Sequence, residues 1–330
     1  MIRRAFSDMH PLLQMVFFFS MLISGMAIAL GLGMAGLAAV SGAGFEETMN
    51  AAARPGSEWG KVVNIVLNSA NQIIAFALAA LLFHWLFGGS LRTAFAPTPE
   101  GSDRPVIGWV LAAGLAALAM SPVLDLTYRL NRMIVEATPI GPLVAQYEGA
   151  AEVVTRALLT MPDLPSFGMT LVTIALLPAV CEEIAFRGVL MPRIARTSGN
   201  IHLAVWVSAA LFSAVHMQFF GFIPRMLIGA GLGYLTIHSG RLWPAVVAHF
   251  VNNGSAVIAA YVLGEEWLAT GLDPMSPWGT DDLVYAAGCG AVLVGVVVWL
   301  RRRPRTFEAT STAYLQNENG GRSGKGVRRG

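Results

Sequence analysis

The chain has 330 residues, of which 55% are hydrophobic and only 13% charged, and its formal net charge is +2. A positive mean hydropathy with so few charges excludes an ordinary soluble domain. Arginines dispersed among loops, rather than gathered on one face, argue against a nucleic-acid partner. Two cysteines, Cys181 and Cys289, fall in separate apolar runs, which gives neither a disulfide framework nor a metal-type spacing.

Read in order, the apolar runs predict an all-α, polytopic membrane helix bundle with about eight transmembrane helices. Arg3 and Arg4 precede a run from Leu12 to Val40, which is about twice the length of a signal-peptide core and reads as a retained first span. The second span, Ile65 to Phe87, carries Asn68, Asn71, Gln72 and His84, read as amides that cross-link helices and an interface histidine. The third runs from Val106 to Leu124. Asp125 to Phe167 is moderately amphipathic and broken by Pro139, Pro142, Pro162 and Pro165, which suits one or two interfacial helices. The fourth span begins near Gly168; Ile201 to Phe220, Phe222 to Ile237 and Trp243 to Leu263 follow. Gly264 to Asp282 reads as a loop without Lys or Arg, Leu283 to Leu300 as the last span, and the tail after it as disordered. The organisation expected is an N-terminal three-span region (1–124), interfacial helices (125–167), a polar-motif core (168–263), an outer loop with the last span (264–300) and a cytoplasmic tail (301–330). Eight spans put both termini on one side. With that side cytoplasmic, Arg3, Arg4, Arg92, Arg104, Arg193, Arg196, Arg241 and the arginines of 301–305 lie inside. They outnumber Arg54, Lys61, Arg129, Arg132 and Arg156 outside, as the positive-inside rule requires.

The fourth span holds the unusual chemistry, Glu182-Glu183-x-x-x-Arg187. An ionisable group at that depth costs about 2.5–3.5 kcal/mol on insertion scales and persists where it is paired and used. On a helix Glu183 and Arg187 face each other across one turn, while Glu182 projects about 100° away. Pro178 removes one backbone hydrogen bond a turn earlier and loosens the helix where water could enter. Two later spans add Phe212-x-x-x-His216 and His249-x-x-x-Asn253. A lone buried histidine is more often a packing residue. Several polar groups in successive apolar helices each need compensation, which favours a site. Arg225, near the predicted outer end of its span, reads as a snorkelling side chain. On straight spans His216 would lie about 5–10 Å nearer the outer face than Glu182, so the chain must bend or tilt to unite them.

This ordered trio, with Gly229-x-x-x-Gly233 and Gly240-x-Leu242-Trp243-Pro244-Ala245 leading to His249, resembles the CPBP family over about Gly168 to Ala260. These are the CAAX-protease and bacteriocin-processing intramembrane endopeptidases, also called the Abi family. The resemblance implies hydrolysis of a peptide bond in a membrane-associated, prenylated or leader-peptide substrate, within a bacterial inner membrane. It implies that Glu182 activates a water, that Glu183 is an orienting acid fixed by Arg187, and that His216 helps hold the water. His249 and Asn253 would donate to the developing oxyanion. Gly229 and Gly233 would let helices approach closely. No cofactor is required on this reading. Zinc stays open, with Glu182, His216 and His249 as its ligands, because family members have been described both as metalloproteases and as glutamic proteases. The chain lacks the His-Glu-x-x-His spacing of helix-borne zinc peptidases, which favours a glutamate-activated water. The alternatives are a non-catalytic scaffold or immunity protein of the same fold, or an ion-coupled transporter.

Overall fold

The computed structural model describes residues 6, 9–95, 106–270 and 277–302. They form a helical bundle with no strand among them. Six helices are long and apolar enough to cross a membrane: α1 (Pro11–Ser41), α3 (Glu58–Leu86), α5 (Ile107–Glu136), α7 (Leu164–Ser198), the Trp243–Gly264 part of α10 (Trp243–Thr270) and α11 (Thr280–Arg301). Between them lie α2 (Gly44–Ala52), α4 (Leu91–Phe95) and α6 (Gly141–Leu159), and the pair α8 (Ile201–Ala214) and α9 (Phe222–Ser239). Of the eight spans expected, six are therefore met, and α8 and α9 fall outside them; α8 is the shorter of the two. Its 14 residues reach only about 21 Å at 1.5 Å per residue.

Two boundaries differ from the sequence reading. The third span does not stop at Leu124, because the amphipathic stretch continues it to Glu136. Pro122 sits in the first turn after Met120, where its missing N–H costs nothing. The loop expected from Gly264 is helical up to Thr270 after a kink at Gly264, whose φ of 64° and ψ of −142° few other residues tolerate. The tail expected to be disordered lies, from residue 303 onward, outside the described residues.

Bilayer-facing and inward-facing surfaces separate cleanly. Leu12, Ile23, Leu32, Val284 and Val294 are exposed, as hydrocarbon-facing side chains are. The largest core cluster joins α1, α3, α7, α8 and α9 through Phe18, Phe83, Phe186, Phe212 and Ile237. Small residues allow close helix–helix approaches here. A Cβ on Gly25 of α1 would lie 2.7 Å from Ala75 Cα of α3, and one on Gly233 of α9 would lie 3.1 Å from the Val205 side chain of α8. α7 is the central helix, flanked by α3, α8 and α10. Asp163 caps it in a capping box with Ser166, whose hydrogen bonds hold the Asp163 carboxyl below the usual carboxylate range.

Candidate active site

The route to the site starts with a defect in α7. Residues Leu171–Leu176 wind as a π-helix, and the Leu177 N–H reaches back five residues to Val172 O, bypassing Thr173. Pro178 has no N–H to offer the carbonyl four residues back, that of Ile174. Neighbouring helices satisfy these oxygens. Asn68 Nδ2 of α3 donates to Thr173 O at 3.3 Å, and Asn253 Nδ2 of α10 donates to Ile174 O at 3.2 Å. Of the amides of the second span, Asn68 and Gln72 cross-link helices, and the partner of Asn68 is the backbone that the proline loosens. A second π-turn, Ile184–Leu190, follows the acids and carries Arg187. Such turns recur at functional sites because they re-aim side chains.

The two glutamates point apart. Glu183, fully buried, accepts from Arg187 Nη1 at 2.7 Å and from His249 Nδ1 at 2.9 Å. Arg187 sends its other arm to Gly229 O at 2.8 Å and lies 4.5 Å over the Phe212 ring. Glycine leaves room there, since a Cβ would stand 3.2 Å from Arg187 Nη2 and 3.1 Å from Ala209 Cβ and press both neighbours back by a few tenths of an ångström. Glu182 instead turns toward a cavity of about 770 Å³, lined also by Gln72, Pro178, His216, Arg225, His249 and Asn253. Its Oε1 accepts from Gln72 Nε2 at 2.8 Å. Its Oε2, buried and without a hydrogen-bond partner, faces His216 Nε2 at 3.8 Å and His249 Nε2 at 4.0 Å.

Hydrogen-bond logic fixes the imidazoles. His216 Nδ1 lies 2.8 Å from the Phe212 carbonyl and so carries the proton it donates; His249 Nδ1 does the same toward Glu183. In the neutral rings both Nε2 atoms are therefore acceptors facing Glu182. The glutamates, Arg187 and both histidines come together as expected. Asn253 lines the same cavity, with one amide hydrogen committed to Ile174.

The depth mismatch of His216 is resolved by a shifted boundary. α8 ends at Ala214, and the chain turns back toward α9 through Met217, whose φ of 56° is the one positive value of a non-glycine among the described residues. Asn131 Nδ2 of α5 donates to the carbonyls of Phe219 and Phe220 at 2.5 and 2.7 Å. The Phe220 N–H donates to Glu148 Oε1 of α6 at 2.7 Å. Burial raises the Glu148 carboxyl above the usual carboxylate range despite that bond. Arg225 is placed differently from the sequence reading. It does not snorkel outward but sits on the cavity wall, with Nη2 on Gln218 Oε1 at 2.8 Å. Sequence reasoning missed Asn131 and Glu148 because single polar residues on amphipathic helices carry no signal.

The zinc option can be tested on these distances. Ligands at about 2.0–2.2 Å from a tetrahedral ion stand roughly 3.3–3.5 Å from one another. Glu182, His216 and His249 are the right donor types, yet their separations of 3.8 and 4.0 Å are wider. Among the described residues no group of three such side chains stands at metal-holding distance as placed.

Compared with known families, residues 165–255 match the one described as type II CAAX prenyl endopeptidase, Rce1-like. No curated protein and no solved structure matches the chain. The matched stretch contains Glu182, Glu183, Arg187, His216, His249 and Asn253. The resemblance read from the sequence therefore holds at the level of the family, which is a protease family, and a transporter is not favoured.

Proposed function

We propose, from the match of residues 165–255 to the type II CAAX prenyl endopeptidase family, that this integral membrane protein cleaves a membrane-associated peptide by means of water activated at Glu182. The observation that carries the reading is the free, buried Oε2 of Glu182 facing two imidazole nitrogens in a cavity large enough for a peptide segment. Water donates a proton to this oxygen while its own oxygen attacks the scissile carbonyl carbon, and His216 Nε2 accepts the water's second hydrogen as a hydrogen bond. The carbonyl becomes an oxyanion, held by His249 Nε2–H and by the second amide hydrogen of Asn253. His249 can donate there only when its ring carries both protons. The charges of Glu182, Glu183, Arg187 and His249 then cancel, which suits a site out of water. Glu182 returns its proton to the leaving nitrogen, the C–N bond breaks, and a carboxylic acid, which keeps the water's second hydrogen, and an amine result.

A metal-dependent variant has one observation in its favour, namely that neutral His216 and His249 would present only acceptors to Glu182. A zinc ion would then be held by Glu182, His216 and His249 and would supply Lewis-acid polarisation. The glutamate reading predicts that purified protein keeps cleaving a prenylated peptide with a C-terminal CAAX sequence in excess chelator. Activity lost with chelator and restored by zinc would reverse the choice.

The arginine asymmetry supports cytoplasmic termini, and the family resemblance is what suggests a bacterial inner membrane. A topology reporter fused after Gly330 is expected to be active in the cytoplasm, and activity confined to the opposite side would refute this orientation.

A further inference from the structure

Glu182 is the centre of the reading above, yet the side chain that touches it most closely lies outside the family-matched stretch. Gln72, on α3, is buried and donates Nε2–H to Glu182 Oε1 at 2.8 Å across 110 positions of sequence. We infer that Gln72 is a positioning residue of the active site, which ties up one carboxylate oxygen of Glu182 so that the other is aimed at the water.

Several features separate this contact from a chance helix cross-link. Asn64, Asn68 and Gln72 recur every four residues, share one face of α3 and all line the catalytic cavity. The first two amides donate to backbone carbonyls, Asn64 to Ala52 and Gly60 and Asn68 to Thr173, and fix the helix in place. Only Gln72 spends its donor on a carboxylate. Winding changes at this residue, because Gln72–Leu78 is a π-helix. That segment is braced from behind, where Gly25 of α1 brings its backbone against Ala75, and at its side by the Phe76 ring, 6.4 Å from Phe186 on α7. The amide thus comes from a rigid wall, as a group that orients a reacting side chain must.

The chemical consequence concerns which oxygen reacts. A carboxylate free to turn about its last torsion would present either oxygen to the water. With Oε1 held by Gln72, the carboxylate plane is set and Oε2 stays toward His216 and His249. The N-terminal helices are on this account a structural part of the active site, supplying a group that residues 165–255 do not contain.

The inference rests on the assignment of Glu182 as the reacting acid, and the test keeps the two separable. Gln72→Asn, Gln72→Leu and Gln72→Glu are compared with wild type for kcat and KM on a prenylated CAAX peptide, with thermal unfolding in detergent as the fold control. Positioning predicts a loss in kcat at nearly constant KM. Gln72→Leu is expected to fall about tenfold, the effect of one lost hydrogen bond to a charged group. Gln72→Asn keeps the donor on a shorter arm and should recover part of that loss. Gln72→Glu has almost the native shape but sets acceptor against acceptor, and should be the slowest of the three. A packing role predicts the reverse order, with the near-isosteric Gln72→Glu best tolerated and kcat following thermal stability. That order, or wild-type kcat in a folded Gln72→Leu, would overturn the inference. Should one variant fail to fold, the order of the other two still decides. Glu182→Gln, run alongside, fails separately: if it retains activity the assignment of the base is wrong, and if it is inactive while Gln72→Leu is normal, only the role of Gln72 is.

Discussion

Glu182→Gln is expected to lose turnover by about 1,000-fold or more while expression, membrane insertion and substrate capture stay close to wild type. The substitution keeps the volume of the side chain, and its amide oxygen can still accept from Gln72 Nε2, the contact that spans 2.8 Å in the native protein. What it removes is the proton-accepting oxygen toward His216 and His249. Removal of oxyanion donors is the milder companion: His249→Ala and Asn253→Ala should each slow turnover about 100- to 1,000-fold with little change in substrate affinity. A non-catalytic scaffold predicts another pattern. There Glu182→Gln is silent, and only changes that spoil packing, such as Gly233→Leu against Val205, disturb the protein.

Arg187→Ala is expected to damage stability as well as activity. Arg187 is 1% exposed and Glu183 0%, so the truncation leaves a carboxylate buried with only His249 as partner and the Gly229 carbonyl without its donor. Breaking a buried pair on one side costs on the order of 3–5 kcal/mol, a large share of the net stability of a typical fold. Arg187→Lys should recover only part of this, because one ammonium cannot reproduce two arms aimed at Glu183 and Gly229 together with stacking on Phe212. Thermal unfolding in detergent reads the difference, and an Arg187→Ala protein as stable as wild type would contradict the role given to the pair.

The polar motif was legible because it stood against an apolar background. Glu182, Glu183, Arg187, His216 and His249 are expensive in a bilayer, so their presence pointed to one another before any geometry was known. The pairing of Glu183 with Arg187 followed from helical spacing alone. Other features were not legible, for physical reasons that differ. The π-turns around Pro178 and after Glu183 leave no compositional trace, and neither does the end of α8 at Ala214, so a straight span to Phe220 put His216 at the wrong depth. Gln72 was visible as an amide in an apolar span, but its partner lies 110 positions away and periodicity cannot choose among facing helices. The C-terminal part of α5 was hidden by its own amphipathicity. Arg129 and Arg132 form i,i+4 pairs with Asp125 and Glu136 there, which let a polar stretch continue an apolar helix.

The central claim is that this protein hydrolyses a peptide bond with Glu182 as the base. The most direct measurement reconstitutes wild type and Glu182→Gln in lipid vesicles with a prenylated CAAX peptide in ¹⁸O-labelled water and reads the products by mass spectrometry. The account predicts two fragments from wild type, the N-terminal one carrying solvent oxygen in its new carboxylate, and intact peptide bound but uncut with Glu182→Gln. Equal cleavage by both proteins would contradict it.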